Sequence, residues 1–281
     1  SRIMRPFSYL VPMNDFPEVV EVWDRKGKVV REVAKVPLRD EVPIQGVEKG
    51  PRSFQWRDTA DATLIWVEAL DEGNPKNKVP HRDKVMAVAS PFTGDATELF
   101  KTEHRFTGLS WLQAPGLALA SEYDRDRRWT RTWLYDLDQG GTPRLLWDRS
   151  SQDRYNFPGS PIRTRTAQGR SVIRDFGGSM CLAGPGASPD GDRPFLDSLA
   201  LADFSTKRLW QCEGETYESV VDVLASATTA LTSYETPNDP PNYFIRELKA
   251  GDRRAVTDFK DPAPELRGIK KEIVKYERDD G

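Results

Sequence analysis

The sequence predicts an all-β fold, specifically a β-propeller of about five four-stranded blades. One observation is a hairpin pattern at residues 128–148, where two runs rich in aromatic and β-branched residues flank Asp138-Gln139-Gly140-Gly141. Another is that the same pattern occurs four more times. The five turn centres are spaced 67, 46, 66 and 45 residues apart, near Gly27, Gly94, Gly140, Thr206 and Gly251. The third is a shared ending of the hairpins, at Leu99-Phe100, Leu146-Trp147 and Leu209-Trp210.

The first two repeats follow in chain order. Residues 3–11 read as a strand with Phe7, Tyr9 and Val11 on one face, and the first hairpin follows at 19–23 and 28–33. We therefore expect the chain to begin partway through a repeat. The second repeat has strand-like runs at 53–56, 63–69, 84–89 and 97–100, with a polar loop at 71–83.

The later repeats are read in the same way. The third has runs at 108–112, 117–123, 130–136 and 144–147, with an arginine-rich loop at 124–128. The fourth has runs at 160–164 and 171–173, a Gly/Pro-rich excursion at 176–194 and a closing hairpin at 195–211. The fifth has runs at 219–224, 228–233 and 243–257. After Asp258 the pattern stops, and an alternating run follows at 269–277.

Four short strands in each unit of roughly 40–50 residues are typical of a propeller blade. The two longer spacings are explained by the long loops at 71–83 and 176–194. A β-sandwich would also give regular strands and turns, but it does not account for a recurring outer hairpin with the same Leu–aromatic ending. The eight tryptophans are interpreted mainly as packing between blades.

Composition excludes several classes of function. The 281 residues carry 41 basic and 44 acidic side chains, and a net charge of −3 gives no field that would favour nucleic acid. No run approaches the roughly 20 apolar residues that span a bilayer. No signal-peptide pattern opens the sequence, so an exported and a cytoplasmic location both stay open. With only Cys181 and Cys212, neither the compartment nor a disulfide is decided.

Several segments carry a family resemblance. They are residues 51–57 (P-R-S-F-Q-W-R), 62–69 (A-T-L-I-W-V-E-A), 131–133 (R-T-W), 148–153 (D-R-S-S-Q-D), 158–161 (P-G-S-P), 191–197 (G-D-R-P-F-L-D) and 272–281. They resemble the propeller of the glutamyl endopeptidase branch of the prolyl oligopeptidase family. The resemblance covers essentially the whole chain, from about Phe7 to Gly281.

The resemblance implies that catalysis and substrate selection belong to different domains. In that family a Ser-Asp-His triad lies in an α/β-hydrolase domain, and the propeller screens and positions peptide substrates. The resemblance therefore implies that residues 1–264 are propeller blades and that 265–281 lead toward a hydrolase domain outside this chain. That domain and a peptide substrate are the expected partners.

The chain itself is expected to lack catalytic residues. The nucleophile motif G-x-S-x-G does not occur; Gly108-Leu109-Ser110 and Gly159-Ser160-Pro161 have no second glycine at the required spacing. The two histidines, His81 and His104, fall in polar loops and are interpreted as surface residues without the spacing of metal ligands. No cofactor or metal is expected.

One cluster is a candidate binding site, formed by Arg125, Arg127, Arg128 and Arg131. In a four-stranded meander the loop between the second and third strands lies on the face where the chain leaves the fourth. We therefore expect these arginines to face the hydrolase domain, together with the loops at 71–83, 101–107, 149–158 and 176–194. Arginine matches a carboxylate with two hydrogen bonds, which suits a glutamate-bearing peptide or carboxylates of the hydrolase. The alternative is a solvated loop on a charged surface.

Two other functions stay open. One is a free-standing propeller that binds a protein or a carbohydrate, and the other is a glycosidase with acidic residues in a central channel. The tail at 265–281 favours the peptidase segment, because a complete binding propeller has no use for it. Open blade edges also predict a homodimer or closure into a smaller ring.

Overall fold

The computed structural model describes residues 1–224, 226–269, 272 and 274–280. Its strands form small antiparallel sheets, and within the described residues the only helical turns are short 3-10 segments at Met13–Asp15 and Pro264–Leu266. Neither of these has the length or the apolar character to cross a bilayer. The chain divides into two compact units, Ser1–Ser150 and Ser151–Gly281.

The first unit contains one three-stranded and two four-stranded sheets. The strands of the three-stranded sheet are β1 (Arg2–Ile3), β2 (Glu18–Trp23) and β3 (Val29–Val36). Those of the second sheet are β4 (Pro51–Trp56), β5 (Thr63–Ala69), β6 (Asp83–Ala89) and β7 (Thr97–Thr102). Those of the third sheet are β8 (Arg105–Trp111), β9 (Leu117–Asp124), β10 (Trp129–Asp136) and β11 (Arg144–Ser150). In each sheet neighbours in sequence are neighbours in space, as in a propeller blade.

The second unit adds two four-stranded sheets and a separate hairpin. The strands are β12 (Ser160–Pro161), β13 (Arg163–Arg165), β14 (Ser171–Ile173), β15 (Ser179–Gly184), β16 (Phe195–Ala200), β17 (Thr206–Gln211), β18 (Tyr217–Val223), β19 (Thr229–Glu235), β20 (Asn242–Glu247) and β21 (Arg253–Ala255). One sheet has the order β12-β15-β16-β17 and the other β18-β19-β20-β21, while β13 pairs with β14 alone. The all-β class and the blade pattern predicted from the sequence are thus confirmed.

Two strand predictions were wrong. The run at 171–173 is not the second strand of its blade; that position is taken by β15, inside the predicted excursion. Glycines that flank Met180, Cys181 and Leu182 on both sides obscured this buried strand, because glycine clusters normally mark loops. The strand predicted at 3–11 is limited to β1. Pro6 has no N–H for a ladder, and Tyr9 points fully into solvent.

The Leu–aromatic endings of the hairpins mark β-bulges in the outermost strands. The register with the preceding strand skips Leu99 in β7, Leu146 in β11 and Leu209 in β17, and each skipped leucine directly precedes a paired aromatic residue. Val33 takes the same place in β3. A bulge twists the strand and disrupts its outer ladder, which discourages pairing with another edge. The sequence repeat is therefore also a structural repeat.

The core of each unit is made by buried residues of the inner strands, several of them consecutive in sequence. In the first unit Val22, Leu64, Trp66, Val88 and Phe92 form one buried cluster. In the second, Cys181 packs with a group of buried residues on neighbouring strands. Trp66 and Trp111 are buried as expected for packing residues, whereas Trp23 is 55% exposed. Cys181 and Cys212 are buried free thiols, and burial raises the pKa of Cys181 to about 11.

Within the described residues of the tail, the regular structure is the short 3-10 turn at Pro264–Leu266. The predicted run at 269–277 includes positions 270, 271 and 273, which lie outside the described residues; its described members belong to no strand. Lys275 reaches Asp190 across 3.5 Å between two exposed side chains.

Candidate functional site

The candidate site is the arginine loop, residues 125–128, which joins β9 to β10 in the first unit. Asp124 closes this tight turn: its Oδ1 accepts the backbone N–H groups of Asp126 at 3.0 Å and Arg127 at 3.3 Å. Arg128 adopts a φ of 52°, and its N–H reaches the carbonyl of Arg125 at 3.2 Å. An aspartate that binds the backbone of its own turn is a common way to fix such a loop. The loop therefore holds three exposed arginines on a defined backbone.

Arg131 lies outside the loop, on β10, and is engaged by carboxylates of its own chain. Its Nη1 donates to Glu103 Oε2 at 2.6 Å, and its Nε donates to Asp148 Oδ1 at 3.4 Å. Glu122 lies 4.0 Å from Nη1. Burial lowers the pKa of Arg131, but the hydrogen bond and charge of Glu103, with the charges of Asp148 and Glu122, outweigh it and raise the pKa overall. Arg131 is thus a structural cation.

Arg127 folds back onto its own turn. Its Nε donates to Asp124 Oδ2, and its Nη2 lies 3.2 Å from His104 Nε2, in the connection between β7 and β8. Burial would raise the pKa of Asp124, but the hydrogen bonds and charge of Arg127 lower it below the ordinary value. These contacts join the arginine loop to the neighbouring interstrand connection.

Arg125 differs from Arg127 and Arg131. Its side chain is exposed and forms no ion pair or hydrogen bond with any residue in the described part of the chain. Arg128 is also exposed. Of the four predicted residues, Arg125 is therefore the one whose guanidinium stays available to an external carboxylate.

A buried ion cluster at the starts of β6 and β8 was missed at the sequence level. Asp83, fully buried, is bound by Arg105 Nη1 at 2.6 Å, by Arg52 Nη2 at 2.8 Å and by the N–H of Phe106 at 2.7 Å. Arg105 also reaches Asp71 with its other terminal nitrogen, at 2.5 Å.

Asp71 continues the cluster into the loop between β5 and β6. Arg82 donates to its Oδ2 at 2.8 Å, and the N–H of Gly73 donates to its Oδ1 at 3.0 Å. The cluster ties this loop to the connection between β7 and β8. Loops that the sequence assigned to one face of the blades therefore meet in the first unit.

Glu122, on β9, is a second buried carboxylate near the site. It accepts the backbone N–H of His104 at 2.8 Å and the indole N–H of Trp133 at 2.9 Å. Burial, helped by the charge of Glu122, raises the pKa of Tyr135 to about 12. Glu122 thus anchors the segment that carries His104 against the sheet that carries the arginine loop.

The two histidines lie in different surroundings. His81 is exposed in the loop between β5 and β6, whereas the His104 side chain is only 14% exposed. Searched over the described residues, the structure holds no group of three His, Cys, Asp or Glu side chains arranged to bind a metal ion.

Comparison with known proteins gives specific sequence relatives. No family model matches the chain. The chain is 39% identical over 301 residues to a probable chloroplastic glutamyl endopeptidase of Oryza sativa subsp. japonica, a match that covers 100% of this chain and 32% of that protein. It is 36% identical over 302 residues to a probable chloroplastic glutamyl endopeptidase of Arabidopsis thaliana, covering 100% of this chain and 31% of that protein. The chain thus spans about a third of the length of these relatives.

Solved structures show only a weak likeness. A puromycin hydrolase shares 15% identity at a TM-score of 0.41, with 81% of this chain and 33% of that chain covered. An oligogalacturonate lyase in complex with manganese shares 10% identity at a TM-score of 0.43, with 70% and 50% covered. Such values carry no functional argument. The sequence match, by contrast, runs along the entire chain, and this all-β chain resembles over its full length a segment of probable glutamyl endopeptidases.

Proposed function

We propose that this chain is the non-catalytic propeller segment of a serine peptidase that cleaves peptides next to glutamate. The proposal is carried by one observation: the whole chain aligns with about a third of two probable glutamyl endopeptidases. In this proposal residues 1–264 form propeller blades, and residues 265–281 run toward a hydrolase domain of the same polypeptide. The hydrolase domain supplies the serine nucleophile, and the propeller controls which peptides reach it.

The arginine loop is the proposed contact with the substrate or with the hydrolase domain. Arg125 supports a substrate role, because it is exposed and its charge is not neutralised by a described carboxylate. A guanidinium that meets a glutamate side chain forms charge-assisted hydrogen bonds, each contributing about 1.5–3 kcal/mol. Arg127 is held by Asp124 within the loop, and Arg131 is held by Glu103 in the neighbouring connection.

The test uses the complete peptidase that contains this segment. Arg125→Gln is compared with Arg125→Lys and with Arg25→Gln, a matched change in the exposed hairpin turn between β2 and β3. Activity is measured as kcat/KM on two peptides that differ only by Glu or Gln at the cleavage position. We expect Arg125→Gln to reduce kcat/KM about 10- to 100-fold for the Glu peptide and to leave the Gln peptide unchanged.

Other outcomes separate the remaining possibilities. An equal loss for both peptides, together with a lower melting temperature, assigns Arg125 to the contact between domains. No change for either peptide overturns the role of the arginine loop. If the complete protein cleaves no peptide at all, the peptidase proposal itself fails.

A further inference from the structure

The contact between His104 and Arg127 restricts the protonation state of the histidine. A guanidinium has only N–H donors, so the 3.2 Å contact between Arg127 Nη2 and His104 Nε2 is a hydrogen bond only when Nε2 accepts. His104 must then be neutral, with its proton on Nδ1. The contact therefore exists in one of the three forms of the imidazole ring.

The charges around His104 come from several segments. Glu103, in the same connection, has Oε1 at 3.7 Å from His104 Nε2, and its other carboxylate oxygen accepts from Arg131 on β10. Asp124, at the end of β9, holds Arg127 and acts on His104 through its charge. Glu122, also on β9, accepts the backbone N–H of His104 and fixes its position without contacting the ring.

These groups offer His104 two alternative partners. When the ring is neutral, Nε2 accepts from Arg127. When the ring is protonated, Nε2 becomes a donor and faces a second cation across 3.2 Å, while the carboxylate of Glu103 lies 3.7 Å away. A donor cannot keep the bond to Arg127 and can form one to Glu103.

We propose that His104 is a pH-dependent switch for the arginine loop. The neutral ring accepts a hydrogen bond from Arg127, whereas the protonated ring releases Arg127 and donates to Glu103. Histidine is the side chain that most often serves as a pH-dependent switch in proteins. The backbone bonds of the turn to Asp124 do not involve His104, so the switch disconnects the Arg127 side chain from the neighbouring connection and leaves the turn itself closed. This inference concerns the loop itself and does not depend on what the loop binds.

Nuclear magnetic resonance of the full chain labelled with 13C,15N-histidine tests the switch directly, because the chain has only two histidines. Exposed His81 provides the internal reference. At a pH where the ring is neutral, we expect His104 to show the 15N chemical shifts of the Nδ1–H tautomer. In Arg127→Ala this preference should be lost, whereas Arg125→Ala, a change in the same loop, should leave it intact. An Nε2–H tautomer in the unchanged chain, or an identical tautomer in Arg127→Ala, overturns the proposal.

A second measurement follows Arg127 as His104 becomes protonated. The side-chain Nε–H signal of Arg127 should shift with the same midpoint as the ring of His104, and His104→Gln should abolish that shift. In Glu103→Gln the shift of the Arg127 signal on acidification should be weaker, because the imidazolium loses its carboxylate acceptor. If the Arg127 signal does not respond to the titration of His104, the two groups are not coupled and the switch is refuted.

Discussion

At the scale of single residues, the charges of this chain fall into two classes that the sequence does not distinguish. Asp71, Asp83 and Glu122 are buried and fully engaged, whereas most of the 44 acidic side chains lie on the surface. A buried carboxylate needs its partners, because the loss of one leaves an uncompensated charge away from water. An exposed pair contributes little, since water and salt screen it.

A substitution of Asp83 tests how much a buried carboxylate contributes to the stability of the fold. Asp83→Asn removes the charge that holds Arg52 and Arg105, and Arg52 is itself 6% exposed. We expect a loss of about 3–5 kcal/mol in the free energy of unfolding, measured by urea denaturation. The control is Asp258→Asn, which breaks an exposed pair with Lys260 and should change the stability by less than about 1 kcal/mol. Equal losses for the two variants would contradict this account.

Asp124 gives a prediction about pH. Its pKa is lowered in the folded chain by Arg127, so the ionised form stabilises the fold above the unfolded pKa, and this contribution is lost as the pH falls through the folded pKa. Asp124→Asn keeps an oxygen acceptor for the turn but loses the charge. The difference in unfolding free energy between the original chain and Asp124→Asn should be largest near pH 7 and should shrink as the pH falls through the folded pKa of Asp124. A difference independent of pH would mean that the charge of Asp124 does not stabilise the loop.

At the scale of elements, strands were easier to predict than the connections between them. The run at 63–69 matches β5 residue for residue, because a short continuous run of apolar, β-branched and aromatic residues specifies a buried strand locally. The ion cluster could not be predicted in the same way. Arg105 meets Asp71 across 34 residues of sequence, and only the packing of neighbouring connections brings them together. Similarly, β15 was missed because its pairing with β16 determines it, whereas its flanking glycines suggest a loop.

Gly73, in the loop between β5 and β6, allows the backbone of this loop to approach Val47 closely. A substitution at Gly73 tests how much this close approach matters. Gly73 has a φ of +74°, and a Cβ built there would lie 2.0 Å from the carbonyl oxygen of Val47. Gly27 has a similar φ of +79° with open space around it. Both Gly→Ala variants suffer backbone strain of about 1–2 kcal/mol, but only Gly73→Ala must also displace the loop at 37–50.

We therefore expect Gly73→Ala to lower the melting temperature clearly more than Gly27→Ala does, as measured by circular dichroism. Chemical-shift changes in Gly73→Ala should extend to Val47, while those in Gly27→Ala should stay within the first hairpin. Equal melting temperatures would show that the loop at 37–50 moves aside without cost.

At the scale of the whole molecule, the blades differ in how well their edges are protected. The outer strands β3, β7, β11 and β17 each carry a bulge. The inner edge of the first blade is different, because β1 pairs with β2 only at Val19 and Glu18. Beyond these two positions, β2 has no strand neighbour on that side among the described residues. The nearby segment exposes large apolar side chains, at Ile3, Met4, Phe7, Tyr9, Leu10 and Met13.

An open strand edge beside exposed apolar side chains favours pairing with a second copy of the chain. We expect the isolated chain to form a dimer whose population rises with concentration, measured by size-exclusion chromatography with light scattering. Leu10→Lys should shift the equilibrium to the monomer, because a lysine near an edge opposes pairing. Ile44→Lys is the matched control, since Ile44 is as exposed as Leu10, at 90%, but lies in the loop at 37–50. A monomer at every concentration, or equal effects of the two lysines, would show that the first blade is not where copies of the chain meet.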